Sequence, residues 1–179
     1  MQLGVLREQG DETMAEALDR ARSLVSAGIQ SIRNVIRNLR PTALDDLGLL
    51  PALRALSRDF GGHNLLQIDF DMPPTLPKLG DGAELALYRT LQEALANAIR
   101  HGECTRVDVR VESVGGEVHL TVSDDGVGFP EEGSASLNRA RGGLAGIRER
   151  ITRVGGGFEL RNAPEGGARV HVWVPVVTR

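Results

Sequence analysis

Apolar and small residues recur at Met14, Leu18, Ala21, Val25, Gly28, Ile32, Val35 and Leu39, in steps that alternate four and three. That is a heptad seam. It predicts a helix over 12–39, roughly 40 Å long, with Asp11 placed to cap it and Pro41 to stop it. Ala17, Leu24, Ile29 and Ile36 widen the stripe, which suits a helical bundle better than a bare two-stranded coil. One such helix cannot bury its stripe alone. A homodimer through 12–39 is therefore expected, and a helix packed on its own domain is the alternative. Arg20, Arg22, Arg33, Arg37 and Arg40 read as a solvated face.

The period changes after Pro41. Residues 41–48 read as a linker, dividing a helical region (1–40) from a second domain (49–179). Leu49, Leu50, Leu53 and Leu56 mark a short helix with Gly61-Gly62 as its terminator. Leu66, Ile68 and Phe70 alternate as a strand within 65–71, and Pro73, Pro74 and Pro77 make a rigid connection. A third helix is expected to begin near Asp81, capped by that side chain with Glu84 completing a capping box. Its apolar stripe is Leu87, Leu91, Ala94, Leu95 and Ala98. A polar stripe runs Arg89, Glu93, Asn97 and His101 on another face, and Gly102 ends the helix.

Val107, Val109 and Val111, then Val118, Leu120 and Val122, alternate with polar residues on either side of Gly115-Gly116. These are two strands of a hairpin. Residues 130–142 are polar and read as a mobile loop, and 143–154 as a short helix. Phe158 and Leu160 lie on one further strand, and Val170, Val172 and Val174 on the last. The second region is thus α+β, with a mostly antiparallel sheet and helices on one face. It is not doubly wound, and it has no Gly-x-x-x-x-Gly-Lys-Ser loop.

Composition narrows the classes. With 179 residues, 41% hydrophobic and 25% charged, the chain has the make-up of an ordinary globular protein. A net charge of −3 and no aromatic-plus-basic clusters argue against nucleic acid as a partner. Cys104 is the one cysteine, so no internal disulfide forms. The four histidines lack metal-ligand spacing. No apolar run is long enough to span a bilayer, and Met1–Gly10 lacks a signal-peptide pattern. No membrane contact by this segment is expected, and the location is read as cytoplasmic, including the cytoplasmic part of a membrane-bound sensor.

Three stretches carry chemistry. On the polar helix face, the Asn97 side-chain oxygen suits Mg²⁺, Glu93 suits Mg²⁺ through water or proton transfer, and Arg100 and His101 suit phosphate oxygens. At the end of the second hairpin strand comes Asp124-Asp125-Gly126-Val127-Gly128. A carboxylate at Asp124 accepts hydrogen bonds only and suits an exocyclic amine such as that of adenine, whereas Asp125 reads as solvated. Taken alone, this stretch fits a hairpin end as well as a ligand site. Third, Gly142, Gly143 and Gly146, with Leu144 between, are expected to open a helix. Its exposed N–H groups and positive dipole end favour phosphate.

In this order the three stretches resemble the Bergerat-fold ATPases, which include histidine kinases, gyrase, mismatch-repair ATPases and the heat-shock chaperone. The N box is Glu93 to His101, the first glycine box Asp124 to Gly128, and the second Gly143 to Gly146. Asn38-Leu39-Arg40-Pro41, running on to Gly48-Leu49, resembles the junction of dimerisation helices and ATPase domain in nitrate-sensor-type histidine kinases. Gln92 to Ala98 and Gly143 to Arg150 resemble the same branch. The resemblance covers about 12–176. It implies a two-layer sandwich with a mixed, mostly antiparallel sheet, preceded by a long helix of a dimerisation bundle. It implies ATP and Mg²⁺ as cofactors, with Asn97 on the metal, Asp124 on adenine, and Gly126, Gly128, Gly143 and Gly146 shaping the pocket and lid. It also implies transfer of the γ-phosphoryl group to a histidine, assisted by Glu93, and then to an aspartate of a response regulator.

Two departures qualify the expectation. No histidine precedes His63, so nucleotide binding without autophosphorylation is expected; truncation is favoured over a degenerate member as the reason. Ala168 stands where the family often has Thr, whose hydroxyl helps hold water beside the aspartate. The alternatives are a protein serine kinase of the anti-sigma-factor kind and a dimerisation module with a dead nucleotide pocket.

Overall fold

The computed structural model describes residues 41–64, 66–102, 104–129, 135–163 and 166–177, at backbone level only over 63–64, 101–102 and 135–143. The helix expected over 12–39 and its dimer seam lie outside the described residues. The described part belongs to the compact unit Thr42–Arg179. Its elements in order are α1 (Thr42–Leu47), α2 (Leu49–Asn64), β1 (Gln67–Asp71), α3 (Ala83–Asn97), a π-helical turn (Ala98–Gly102), β2 (Arg106–Val114), β3 (Glu117–Asp124), α4 (Ala135–Arg153), β4 (Gly157–Asn162) and β5 (Ala168–Pro175).

The strands form one mixed sheet in the order β1-β2-β3-β5-β4. β1 lies parallel to β2, and every other pair is antiparallel. Alternation along each strand then decides what is inside. Val107, Val109 and Val111, Val118, Leu120 and Val122, and Val170, Val172 and Val174 are all buried. They join Leu53 of α2, Leu87, Leu91 and Leu95 of α3, and Leu144, Ile147 and Ile151 of α4 in one core. The opposite face is polar, with Arg106 paired to Asp69 and Asp108, and Arg110 to Asp71 and Glu112. The described unit is therefore a two-layer α+β sandwich, as the sequence pattern implies.

Local features differ from expectation at four places. The segment read as a linker contains α1, because Leu44 enters the core and is only 3% exposed. Gly61-Gly62 does not end α2, which runs on to Asn64. Gly61 instead permits a close approach, since a Cβ there would stand 3.1 Å from the Leu66 carbonyl oxygen. Neither Asp81 nor Glu84 caps α3. Gly82 is the N-cap, at φ 80°, with no side-chain cap bond; the entry turn closes through Ala83 N–H to the Gly80 carbonyl (3.1 Å). Finally, 135–142 is helical rather than loop. The 3/4 spacing of Leu144, Ile147 and Ile151 extends back through Ala140 and Leu137 with no proline, so a helix covers the polar stretch. Residues 130–134 of the expected loop lie outside the described residues.

The layer of buried valines and leucines sets stability. Leu120→Ala is expected to lower the unfolding free energy by about 2–5 kcal/mol in urea titration, because the site is closed on all sides. Leu47→Ala, at a side chain 60% exposed, is expected to change it little.

Candidate functional site

The hairpin delivers Asp124 to the end of β3, where it is half-buried. Its Oδ1 accepts two backbone N–H groups, from Gly126 (3.0 Å) and from Ala168 at the start of β5 (3.1 Å). Among the described residues, nothing donates to Oδ2. The carboxylate is thus aimed by two fixed donors and keeps an acceptor oxygen for something else. Gly167, buried at φ +85°, makes this approach possible, because a Cβ there would collide with the Asp124 carbonyl.

The glycine-rich loop is held at two further points. Asp125 is exposed but not merely solvated. Its carboxylate accepts the Thr105 N–H (2.9 Å), the Thr105 hydroxyl (2.7 Å) and the Arg106 N–H (2.9 Å). The bond from the Arg106 backbone, foremost, and that from the Thr105 hydroxyl hold its pKa below the ordinary 3.8. Asn162 at the end of β4 clamps Phe129, accepting its N–H (2.7 Å) and donating to its carbonyl (3.1 Å). Gly128, at φ +76°, fits beneath this clamp: a Cβ would come within 2.9 Å of the Asn162 amide oxygen. Gly126 sits in the same loop, between Asp124 and Gly128.

The second wall comes from α3. Glu93 and Asn97 are half-buried and one turn apart, so their side chains share a face. α3 is followed by the π-helical turn Ala98–Gly102, in which the residues per turn increase. Arg100 is exposed, and His101 is described at backbone level only. Cys104 lies just after that turn. Its thiol donates to the Ala98 carbonyl (3.5 Å), and burial, then the negative charges of Asp124 and Asp125, push its pKa up.

Gly143 and Gly146 do not open a helix. They lie inside α4, whose backbone begins at Ala135, so the anion-binding terminus expected at Gly143 is not there. Leu144 is 6% exposed and belongs to the core, and Gly146 is overlain by the Arg150 guanidinium. Pattern reasoning missed three residues: Asn162, Cys104 and the bonding role of Asp125. Asn162 and Asp125 act through partners 33 and 19–20 residues away, and Cys104 bonds across the π-helical turn, so no regular spacing signals any of them. Among the described residues, no group of three or more His, Cys, Asp or Glu side chains is arranged to hold a metal by itself.

A carboxylate held by two backbone donors at a glycine-rich turn and an Asn-bearing helix lie in the same mixed-sheet domain. The model of the histidine kinase-, DNA gyrase B- and HSP90-like ATPases matches residues 82–178, and the chain belongs to that family. It is 31% identical over 168 residues to the signal transduction histidine-protein kinase/phosphatase DegS of Brevibacillus brevis. It is 34% identical over 161 residues to the sensor histidine kinase MctS of Rhizobium johnstonii. These matches cover 94% and 90% of this chain but only 42% and 35% of the relatives. The fold is similar to the ATP-binding domain of PrrB from Mycobacterium tuberculosis, with a TM-score of 0.54 and 28% identity, over 73% of this chain and 92% of that one. The ATP-binding core of a histidine kinase is therefore the class to which the described domain corresponds.

Both anchors of the loop are open to measurement. The stability advantage of the wild type over Asp125→Asn is expected in full above pH 3.8. It is expected to vanish as pH falls through the lowered folded-state value, read as urea midpoints across pH. Asn162→Ala is expected to speed amide exchange at Phe129 by up to about tenfold while leaving the β3 core amides unchanged.

Proposed function

We propose that this chain binds Mg²⁺·ATP as the catalytic core of a two-component sensor kinase. The observation that carries the reading is Asp124, held by two backbone donors and left with an outward acceptor. In this reading Asp124 accepts the exocyclic amine of adenine. Gly126 and Gly128 let the base lie close to backbone, and Gly143 and Gly146 shape the lid side. The hard oxygen of Asn97, with Glu93 acting through water, suits a cation that takes its other ligands from phosphates and water. Arg100 and His101 reach the phosphates.

ATP supplies the γ-phosphoryl group. The chain's part is to position it and to neutralise charge, with Glu93 assisting the attacking histidine. The 179 residues contain no histidine before His63, so that acceptor lies outside them in this reading. The domain division at 40 and 49, a homodimer through 12–39, an aspartate of a response regulator as the final acceptor, and a cytoplasmic location belong to the same proposal. The identities to DegS and MctS and the family match support it. Among the described residues, no helix is long and apolar enough to cross a membrane.

Calorimetric titration with Mg²⁺·ATP tests the site. The wild type is expected to bind, and Asp124→Asn to bind about 10- to 100-fold more weakly, the cost of replacing an ionised acceptor by an amide. Absence of wild-type binding, or an affinity unmoved by the substitution, would support the dead-pocket alternative. Stable phosphohistidine formed on this chain would overturn the claim that the acceptor lies outside it.

A further inference from the structure

The open face of the sheet carries one construction that the nucleotide reading does not use. His119 of β3 and His171 of β5 face each other, with Nδ1 of the first 3.1 Å from Nε2 of the second. Their outer nitrogens point to carboxylates. His119 Nε2 lies 3.6 Å from Glu117 Oε2, and His171 Nδ1 lies 3.9 Å from Glu159 Oε2. The result is a chain, carboxylate–imidazole–imidazole–carboxylate, that crosses β3, β5 and β4. Trp173 flanks it, its ring centroid 5.1 Å from that of His171 and 6.2 Å from that of His119. The indole lies over Gly157, where any Cβ would enter the ring.

Counting protons gives this chain three states. With both rings neutral, one N–H fills the central bond, and one end carboxylate faces a lone pair. With one added proton, the central bond and both carboxylate contacts are satisfied together. With a second added proton, an N–H faces an N–H at 3.1 Å and two positive charges adjoin, so the contact must break. The surroundings do not remove this limit. Glu112 and Arg110 of β2 pair with each other (3.5 Å). Arg161 and Glu159 of β4 pair as well. Arg169 of β5 donates to Ser123 (3.0 Å), and Thr121 is neutral. His171 is already held below the ordinary 6.5, by burial first and by the charge of His119 second.

The location gives the limit a consequence. His119 and His171 brace the same two strands that, at their other end, carry Asp124 and Ala168. We infer that His119 and His171 form a clasp between β3 and β5 that tolerates at most one added proton, and that a second added proton opens it and loosens the strand pair that positions Asp124. The opening is a property of the sheet itself. Only its effect on nucleotide affinity rests on the function proposed above.

The sign follows from the depressed His171 value. Stability from the clasp is present above 6.5 and is lost as pH falls through the lower folded-state value. Histidine NMR titration, with fluorescence of Trp173, the single tryptophan, reads the clasp directly. In the wild type, His171 is expected to titrate below 6.5. In His119→Gln the remaining His171 is expected to move upward towards 6.5. The thermal midpoint of the wild type is expected to fall on acidification below 6.5 more steeply than that of the His119→Gln/His171→Gln double variant. A His171 that titrates at the ordinary value, a His171 unmoved by His119→Gln, or equal pH slopes of the melting points would each overturn the clasp. ADP affinity is expected to weaken severalfold below pH 6.5 in the wild type and to stay nearly constant in the double variant. An equal loss in both would overturn the coupling. Failure of ADP to bind at any pH would count against the nucleotide pocket, while the titration would still decide the clasp.

Discussion

Oδ1 of Asp124 accepts one N–H from its own loop and one from the first residue of β5. Through these two bonds a single oxygen ties the exit of β3 to the entry of β5, and it does so where the sheet runs out of ladder. The surrounding features serve this contact. Gly167 has no side chain because the Asp124 carbonyl occupies the space a Cβ would need. Asp125 fastens the same turn back to the start of β2, and Asn162 fastens its far side to the end of β4. A carboxylate bonded by two backbone donors is fixed in orientation, so its remaining oxygen is a preorganised acceptor.

The two faces of the sheet divide the labour. The inner face is a layer of valine and leucine against three helices, and it makes the strands rigid enough for loop geometry to matter. The outer face is not inert padding. Its arginine–carboxylate pairs are exposed and contribute little each. Its histidine pair is different, because two titratable rings in direct contact cannot both be charged without separating. In the proposed clasp, the strands that carry Asp124 are sensitive, on their opposite face, to proton concentration.

The helix wall is shaped by a change of helical pitch. α3 delivers Glu93 and Asn97 on one face and then passes into a π-helical turn. The wider turn brings the Ala98 carbonyl to Cys104, and Cys104 in turn lies within the field of Asp124 and Asp125. The half-buried thiol packs against the core next to that turn.

Much of this was legible in the amino-acid order. Period-two alternation over 106–111, 117–122 and 170–174 determined which strand faces enter the core, since successive side chains point to opposite sides. The Asp124–Gly128 and Glu93–Asn97 stretches were visible because their spacing is local. The start of α4 was less so: the polar composition of 130–142 masked a 3/4 spacing through Leu137 and Ala140 that one more turn of counting reveals. What only the tertiary structure decided is which distant groups meet. Nothing in the order of residues places Asn162 on Phe129, Ala168 on Asp124, or His119 against His171, because each contact spans 33 to 52 residues. Such contacts depend on strand register, and register is settled by packing the whole inner face at once.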